Sequence, residues 1–415
     1  MPHLNIVIHR WMDQGEQTSA IMKPQAVLLC AGKSTRTYPL TLTKAKPLLK
    51  VANRTILEHN LEQLNGLVEE VILVVGPAQD KIGSFCRTRY KQLRISCVEQ
   101  KEPLGTGHAL LQAKEKLKGE FIVMNGDDLY FKEDLRKLLR TTYGALVMKT
   151  NHPERFGVYV AERGVARSFV EKPKERVSNL ANIGCYKFDM SIFNHKLNLS
   201  KRGEYEVTDY VSYLIDKEKF SCVEAERWFP IGYPWDLLEA NRALLSKTLS
   251  KIEGKVEKNV TIKVGVIIGK NTLVKSGSYI EGPVIIGENS IIGPNAYIRP
   301  STSIGNGCRI GAGVEIKNSI IGDRTGVPHL SYVGDSIIGD YANLGAGSIT
   351  ANSRHDRGVV KSMIKDELVE TGLQKFGAVI GDGVKLGIKT LIYPGRKIWP
   401  GKTTLPGEIV QKDIM

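Results

Sequence analysis

Residues 284–304, VIIGENSIIGPNAYIRPSTSI, carry an aliphatic residue at every sixth position. This spacing matches neither the period of an α-helix nor that of a β-strand. It is typical of a parallel β-helix, in which three hexads make one triangular coil and each aliphatic side chain points inward. The unbroken series comprises Ile262, Ile268, Val274, Ile280, Ile286, Ile292, Ile298, Ile304, Ile310 and Ile316.

The six-residue spacing resumes in new phases after Ile316 and continues to Ile398. Residues 352–376 interrupt it with a polar, charged stretch, which predicts an insertion or a long loop. From about Val256 onward the chain resembles the hexapeptide-repeat family of left-handed β-helices. That resemblance implies the handedness and a homotrimer or higher homo-oligomer, and many members of the family are acyltransferases.

Composition narrows the classes of function. The formal net charge is +14, but the basic residues are spread among acidic ones, which predicts anionic small substrates and no nucleic acid. No apolar stretch reaches the roughly 18 residues of a membrane helix, so no membrane partner is expected. The six cysteines are scattered without a C-x-x-C pair, which indicates neither zinc nor disulfides and favours the cytoplasm.

The N-terminal half begins with signals of an α/β sheet. Residues 25–31 predict a buried strand that runs into the loop 32–36, Gly-Lys-Ser-Thr-Arg. Residues 68–75 and 121–124 predict further buried strands, and the latter leads into Asn-Gly-Asp-Asp at 125–128. Loops after parallel strands lie at the ligand-binding edge of such sheets. Small and basic residues there suit phosphates, and a carboxylate suits Mg²⁺.

Together with Leu104–Ala109, these motifs resemble the nucleoside-diphosphate-sugar pyrophosphorylases over residues 23–245. The resemblance implies a Rossmann-like mixed sheet and transfer of a nucleotidyl group from a nucleoside triphosphate to a sugar 1-phosphate, with release of pyrophosphate. It implies that Arg36 stabilises the leaving pyrophosphate, that Lys46 bridges phosphates and that Asp127 holds Mg²⁺. The implied nucleotide-binding residues are Gly32, Ser34, Thr35, Gln100, Gly105 and Thr106, and the implied sugar-binding residues are Gly157, Glu171, Lys172 and Asn182.

Two positions depart from the family pattern. Ser34 stands where the family often has a second Gly. Pro230 stands near the position where many relatives carry an Asp as the second metal ligand, and Pro cannot bind a metal. Asp236 is the nearest carboxylate. It either completes the metal site or belongs to the following helix.

A second candidate site lies in the repeat region. His329 to Asp335 read His-Leu-Ser-Tyr-Val-Gly-Asp, and distant residues of a β-helix stack along one edge. Histidine titrates near neutrality, which suits a base that accepts a proton from an amine. Together with other residues of the repeat region, this stretch resembles the acetyltransferase half of bifunctional enzymes from bacteria and archaea. Those enzymes acetylate glucosamine 1-phosphate and transfer a uridylyl group to its N-acetyl product.

By that resemblance His329 is the general base and acetyl-CoA the co-substrate. Arg299 and Lys317 bind the sugar phosphate, and the Ala346 N–H contacts the thioester or CoA. The residues that orient the sugar are Tyr332, Asn343 and Asn352. The bacterial pattern has an aromatic residue where this chain has Ser353.

The predicted organisation is a disordered extension at 1–22, a nucleotidyltransferase domain at 23–236, a linker helix within 237–255 and a left-handed β-helix acetyltransferase domain at 256–415. The alternative is a nucleotidylyltransferase whose β-helix only oligomerises or regulates. A non-catalytic scaffold is disfavoured because Arg36, Lys46 and Asp127 are all present. The sequence leaves open UTP against dTTP, N-acetylglucosamine against glucose, and glucosamine against galactosamine.

Overall fold

The computed structural model describes residues 23–77, 82 and 93–415, so the predicted extension 1–22 lies outside the described residues. A nine-stranded mixed sheet occupies the N-terminal half, in the order β5-β4-β1-β6-β10-β7-β11-β9-β8. The predicted α/β sheet is therefore confirmed. Its strands, and a two-stranded hairpin β2–β3, are β1 (Gln25–Leu29), β2 (Lys50–Val51), β3 (Arg54–Thr55), β4 (Glu70–Val75), β5 (Arg94–Glu99), β6 (Glu120–Asn125), β7 (Tyr143–Lys149), β8 (Gly157–Glu162), β9 (Val165–Glu171), β10 (Leu180–Asp189) and β11 (Phe220–Glu224).

Helices cover both faces of this sheet, which explains why its central strands are continuously apolar. In β1 the side chains alternate between two cores: Val27 packs on one face and Leu28 on the other. The first face is covered by α2 and α4, and the second by α1 and α3. The helices among the described residues are α1 (Ile56–Leu64), α2 (Thr106–Ala113), α3 (Lys132–Leu139), α4 (Val207–Lys217) and α5 (Asp236–Leu245).

The C-terminal half consists of three parallel sheets whose strands follow one another coil by coil, as in a β-helix. The first sheet comprises Lys251–Ile252, Val266–Ile268, Val284–Ile286, Thr302–Ile304, Ile320–Ile321, Ile337–Ile338, Val379–Ile380 and Lys397–Ile398. The second comprises Lys255–Val256, Leu273–Val274, Ile291–Ile292, Arg309–Ala312 and Gly326–His329. The third comprises Thr261–Ile262, Tyr279–Ile280, Tyr297–Ile298, Glu315–Lys317, Tyr332–Gly334, Ile349–Thr350, Leu391–Ile392 and Ile409–Val410.

The aliphatic residues at six-residue spacing form the core of this region. Ile268, Ile286 and Ile304 are register partners in successive coils, and all three are fully buried. Burial of one such side chain stabilises the fold by about 1.5–3 kcal/mol. The stacked rows thus convert the periodic sequence directly into a continuous core.

Gly often follows these aliphatic positions directly, which predicts that it lies where the backbone turns a corner. Gly293, with φ 85°, is left-handed as predicted, but at the preceding corner the left-handed residue is Asn289, with φ 56°, and not Gly287. A Cβ atom on Gly287 would lie 2.7 Å from the backbone carbon of Gly305 in the next coil. Gly is therefore required there because successive coils approach closely.

The junction between the halves is a shared core. Within the predicted linker 237–255 the structure has α5 and then the first coil strands, which begin at Lys251. The interrupting segment 352–376 contains an antiparallel hairpin, Lys361–Ile364 and Glu367–Glu370. Phe376 at its end packs edge-on against Trp235, with ring centroids 5.8 Å apart. Among the described residues, no helix is long and apolar enough to cross a membrane.

Candidate functional site

The carboxyl edge of the N-terminal sheet carries a cavity of about 420 Å³. Strands β1, β4, β5 and β6 are parallel, so the loops that follow them meet at one edge. The cavity brings together five of the predicted residues, namely Gly32, Gln100, Gly105, Thr106 and Asp127. It is also lined by Asn125 and Glu204, which the sequence did not assign to the nucleotide.

Gly105 is the tightest point of this cavity. Its φ is +112°, and a Cβ atom there would lie 2.3 Å from the Tyr205 carbonyl oxygen. The close approach lets the Gly107 N–H donate to that same carbonyl, at 2.8 Å. Residues 204–205 are thereby held against the start of α2.

The Gln100 side chain has a fixed orientation. Its Nε2 donates to the Gly105 carbonyl at 3.0 Å and lies 3.0 Å from His108 Nδ1. Both contacts involve the amide nitrogen, so the amide oxygen is left to accept a hydrogen bond from a ligand. His108 was not identified from sequence, although its position two residues after Thr106 was the available signal.

A second cavity of about 210 Å³ adjoins the first, and Thr106 and Asn125 line both. All four residues predicted for the sugar line this second cavity: Gly157, Glu171, Lys172 and Asn182.

Arg202 also lines this cavity, and the sequence motifs did not predict it. It forms ion pairs with Glu206 at 2.7 Å and with Glu171 at 3.4 Å. Burial raises the pKa of Glu171 although Arg202 opposes the shift. Arg202 and Glu171 lie more than 30 residues apart in the chain, so no local sequence motif indicates their contact.

Threonine hydroxyl groups stabilise the loop after β1 by donating hydrogen bonds to its backbone. Ser34 is left-handed, with φ 48°, and its carbonyl accepts hydrogen bonds from Thr37 Oγ1 at 2.7 Å and Thr41 Oγ1 at 2.9 Å. Of the predicted phosphate contacts in this loop, only Gly32 lines the larger cavity; Ser34, Thr35 and Arg36 do not. Arg36 instead lies over the ring of Tyr233, 5.5 Å from its centroid.

Lys46 is the buried cation at the edge of the site. It is 5% exposed, and its Nζ lies 2.8 Å from Asp127 Oδ2. Burial and the Asp127 charge raise the pKa of the neighbouring Asp128 to about 7, and Lys46 opposes this rise. Burial raises the pKa of Asp236 to about 6, which Lys46 again opposes. Lys46 thus pairs with Asp127 and opposes the rise in pKa of Asp128 and Asp236.

Asp127 and Asp236 meet some of the requirements of a Mg²⁺ site. The Asp127 side chain is one-third exposed and lines the larger cavity. Asp236 Oδ2 accepts the N–H groups of Gly232 and Tyr233 at 2.8 and 2.7 Å, which leaves one oxygen for other partners. Among the described residues, no three acidic, His or Cys side chains are grouped to hold a metal. A site with one or two carboxylates, completed by substrate phosphates and water, is what Mg²⁺ commonly uses.

A polar network occupies the third coil sheet. Asp335 is 4% exposed and accepts hydrogen bonds from Asn318 Nδ2 at 2.6 Å and Asn352 Nδ2 at 2.5 Å. Lys317 Nζ lies 3.4 Å from the same carboxylate. Asn352 Nδ2 also donates to the Tyr332 hydroxyl at 3.1 Å. Three predicted residues, Lys317, Tyr332 and Asn352, therefore converge on Asp335, which the sequence had not singled out.

Arg299 lies one coil before Lys317. Its N–H donates to the Ile316 carbonyl, and its guanidinium pairs with Glu315 at 2.9 Å. The Arg299 Nε is buried and, within the described part of the chain, has no hydrogen-bond partner. The Arg299 side chain is 36% exposed, so the accessible part of its guanidinium is what an anionic ligand can reach.

The remaining predicted residues lie on the second sheet rather than the third. His329 is exposed at the end of its strand, and its carbonyl accepts the Gly347 N–H at 3.0 Å. Asn343 pairs with Gly326 at the other end of that strand. Ala346 directly precedes Gly347. A single chain therefore presents two groups of predicted residues, separated by the corner at Leu330–Ser331.

The chain is similar to known proteins over both halves. A sequence model described as Nucleotidyl transferase matches residues 25–247, and one described as GMPPB C-terminal domain matches residues 280–414. The chain is 46% identical to "Bifunctional protein GlmU" of Methanococcus maripaludis strain C7, over 94% of this chain and 95% of that protein.

It is also 37% identical to "Bifunctional sugar-1-phosphate nucleotidylyltransferase/acetyltransferase" of Sulfurisphaera tokodaii, over 94% of this chain and 98% of that protein. Among solved structures, a UDP-glucose pyrophosphorylase complexed with UDP-glucose matches 55% of this chain and 100% of its own. The TM-score of that match is 0.49 and the sequence identity 22%.

Proposed function

Because the chain belongs to the nucleotidyl transferase family and aligns over nearly its whole length with bifunctional GlmU proteins, we propose that it catalyses two reactions. The first transfers a nucleotidyl group from UTP or dTTP to N-acetylglucosamine 1-phosphate or glucose 1-phosphate and releases pyrophosphate. The second transfers the acetyl group of acetyl-CoA to glucosamine 1-phosphate or galactosamine 1-phosphate.

The observation that carries the first reaction is the pair of adjoining cavities. Thr106 and Asn125 line both, so a nucleotide in the larger cavity and a sugar phosphate in the smaller one would meet there. An oxygen of the sugar phosphate attacks the α-phosphorus, a new P–O bond forms, and the bond to pyrophosphate breaks. Positioning and charge neutralisation supply most of the catalysis in such a transfer.

The surroundings of Lys46 and Gln100 support their roles: Lys46 neutralises phosphate charge, and Gln100 reads the base through its amide oxygen. The role of Arg36 at the departing pyrophosphate rests on the family resemblance and requires its guanidinium to move off the Tyr233 ring. Asp127 and Asp236 would hold Mg²⁺, and the metal would supply further charge neutralisation at the phosphates. The loop residues Ser34 and Thr35 would offer backbone N–H groups.

The second reaction uses the coil region. His329 takes the proton of the attacking amine as nitrogen bonds to the acetyl carbonyl carbon. The C–S bond then breaks, and His329 passes that proton to the departing sulfur, so that CoA leaves as the thiol. Arg299 and Lys317 bind the phosphate, and the Ala346 N–H contacts the thioester. The partly exposed guanidinium of Arg299 and the nearby Lys317 ammonium support the anion site. The residues that orient the sugar are Tyr332, Asn343 and Asn352.

This second site requires a neighbouring copy of the chain. We propose a left-handed hexapeptide-repeat β-helix that assembles as a homotrimer, with the acetylation site at the interfaces. An exposed apolar column along the third sheet, formed by the register partners Ile349, Leu391 and Ile409, supports this assembly. In a trimer, the second-sheet group of one chain can face the third-sheet group of the next.

The test uses the full chain in two assays and two variants. Pyrophosphate release is measured with UTP or dTTP and each sugar 1-phosphate, and CoA release with acetyl-CoA and each amino-sugar phosphate. Lys46→Ala should lower pyrophosphate release by at least about 100-fold and spare CoA release. His329→Ala should do the reverse. No CoA release by the unaltered protein, with either acceptor, would leave a nucleotidylyltransferase with an oligomerising β-helix.

A further inference from the structure

Three aspartates stack at one corner of the coil region, and we call Asp323, Asp340 and Asp382 the acidic ladder. The N–H of Asp323 donates to Asp340 Oδ1, and the N–H of Asp340 donates to Asp382 Oδ1, both at 2.8 Å. A Gly precedes each one. A Cβ atom on Gly322 would lie 2.5 Å from Asp340 Oδ1, so the small residue permits the stacking.

The ladder faces the N-terminal half and forms ion pairs with it. Lys50 Nζ lies 2.5 Å from Asp323 Oδ2, and Lys44 Nζ lies 2.5 Å from Asp340 Oδ2 and 3.0 Å from Asp382 Oδ2. Burial lowers the pKa of Lys44, but attraction to Asp340 and Asp382 outweighs it and the pKa is raised. The Lys44 side chain is 20% exposed, so solvent screens these pairs only in part.

The two lysines flank the turn that carries Lys46. This turn is a short 3₁₀ helix, Lys46–Leu48, with Lys44 two residues before its start and Lys50 two residues after its end. Residues 44–46 also line a cavity of about 210 Å³ together with Gly32 and Lys33 of the loop after β1. The backbone that sets the position of Lys46 is therefore attached on both sides to the coil region.

We propose that the acidic ladder positions Lys46 for nucleotidyl transfer, so that the coil region is a working part of the N-terminal active site. This inference rests on the proposed nucleotidyl transfer. The three aspartates are positioning residues, because they act through Lys44 and Lys50 and contact neither cavity of the candidate active site. A displacement of about 1 Å at a reacting group can cost about 100-fold in rate.

The competing explanation is that these ion pairs only hold the two halves together. Asn241 at the same interface offers a control, because its Oδ1 accepts hydrogen bonds from Ser303 Oγ at 2.5 Å and from the Ala52 N–H at 2.8 Å. Ser303→Ala removes one contact between the halves without touching the Lys44–Lys50 segment. The Ala52 contact remains, so Asn241 keeps a partner.

The experiment is a double-mutant cycle in the full chain. One arm is Asp340→Asn with Asp382→Asn, which keeps the stacking oxygens and removes the charges. The other arm is Lys44→Met, and Lys44→Arg tests rescue by a conservative cation. The kcat and KM of pyrophosphate release are measured well below the unfolding temperature of each variant, with CoA release and the unfolding temperature recorded in parallel.

We expect both arms to lower kcat by about 10- to 100-fold with KM changed much less. The combined variant should be no slower than Lys44→Met alone, and Lys44→Arg should recover most of the rate. Ser303→Ala should keep the unaltered kcat even where its unfolding temperature falls. The inference would be overturned if kcat were unaltered in both arms. It would also be overturned if Ser303→Ala lowered kcat as much as the variants of Lys44 or of the aspartates do. Absence of pyrophosphate release by the unaltered protein would instead overturn the proposed function.

Discussion

Replacement of Asp335 by Ala should destabilise the coil region and impair acetyl transfer. The carboxylate is nearly inaccessible and accepts hydrogen bonds from Asn318 and Asn352, with the Lys317 ammonium 3.4 Å away. Ala removes the acceptor for all three donors at once. The Asn318 amide is left unpaired, which costs about 1–3 kcal/mol, whereas Asn352 keeps the Tyr332 hydroxyl as a partner.

Removal of one partner from a buried ion pair costs about 3–5 kcal/mol. Lys317 is 22% exposed and can recover some hydration, which puts its share at about 3 kcal/mol, the lower end of that range. With about 1 kcal/mol for the unpaired Asn318 amide, we expect the whole change to lie near 4 kcal/mol. For a region of this size, each kcal/mol shifts the unfolding temperature by about 2–4 °C, which gives a decrease of about 10 °C.

The assay is thermal unfolding of the full chain, followed by both activity measurements. CoA release should fall by at least tenfold, roughly the effect of losing one charged contact, because Lys317 and Asn352 lose their orientation. Pyrophosphate release should stay within about twofold. Asp366→Ala removes the same charge from an exposed position and should change stability by less than about 0.5 kcal/mol. An unfolding temperature within about 2 °C of the unaltered protein for Asp335→Ala would refute the reasoning.

Three further substitutions test other parts of the molecule. Gly105→Ala places a Cβ atom 2.3 Å from the Tyr205 carbonyl oxygen, so pyrophosphate release should fall by at least about tenfold while CoA release is retained. Ile304→Ala in the coil core should lower the free energy of unfolding by about 2–5 kcal/mol in urea titrations, whereas Ile304→Val should cost about 0.5–1.5 kcal/mol. Burial lowers the pKa of Lys397 from 10.5 to about 8, and the nearby Asp413 carboxylate opposes this shift. Between pH 8 and pH 10.5 the unfolded chain therefore binds more protons at this lysine than the folded chain does. Stability should therefore rise from about pH 8 to pH 10.5, by up to roughly 3 kcal/mol, and Lys397→Met should abolish that rise in melting curves; an unchanged rise would place its origin elsewhere.

Much of the fold could be predicted because it is encoded in local spacing. The predicted strands at 25–31, 68–75 and 121–124 correspond to β1, β4 and β6, since short apolar runs of that length are read directly as buried strands. Helix α2 begins at Thr106, within the motif Leu104–Ala109. Gly105 could not be recognised as the residue before the helix, because its need for a bare α-carbon comes from Tyr205, a hundred residues later.

The candidate site, like the fold, could be predicted only in part. The family resemblance implied nine residues that line the two adjoining cavities, but it assigned the phosphate loop more contacts than the cavities show. Arg36 lies over Tyr233 because an exposed guanidinium gains from an aromatic face, and their separation in sequence conceals this contact. His108, Arg202 and Asp335 were missed because each acts on a neighbour rather than through a motif.

The sequence by itself determined the core of the coil region and placed the ligand loops at one edge of the sheet. A regular backbone turns periodicity into burial, and parallel strands bring their carboxyl ends to the same edge. Only the tertiary structure decided which charges meet. Lys44 and its partners Asp340 and Asp382 lie 296 and 338 residues apart in the chain. Coulombic attraction depends on distance in space and on burial, and neither quantity is written in the order of the residues.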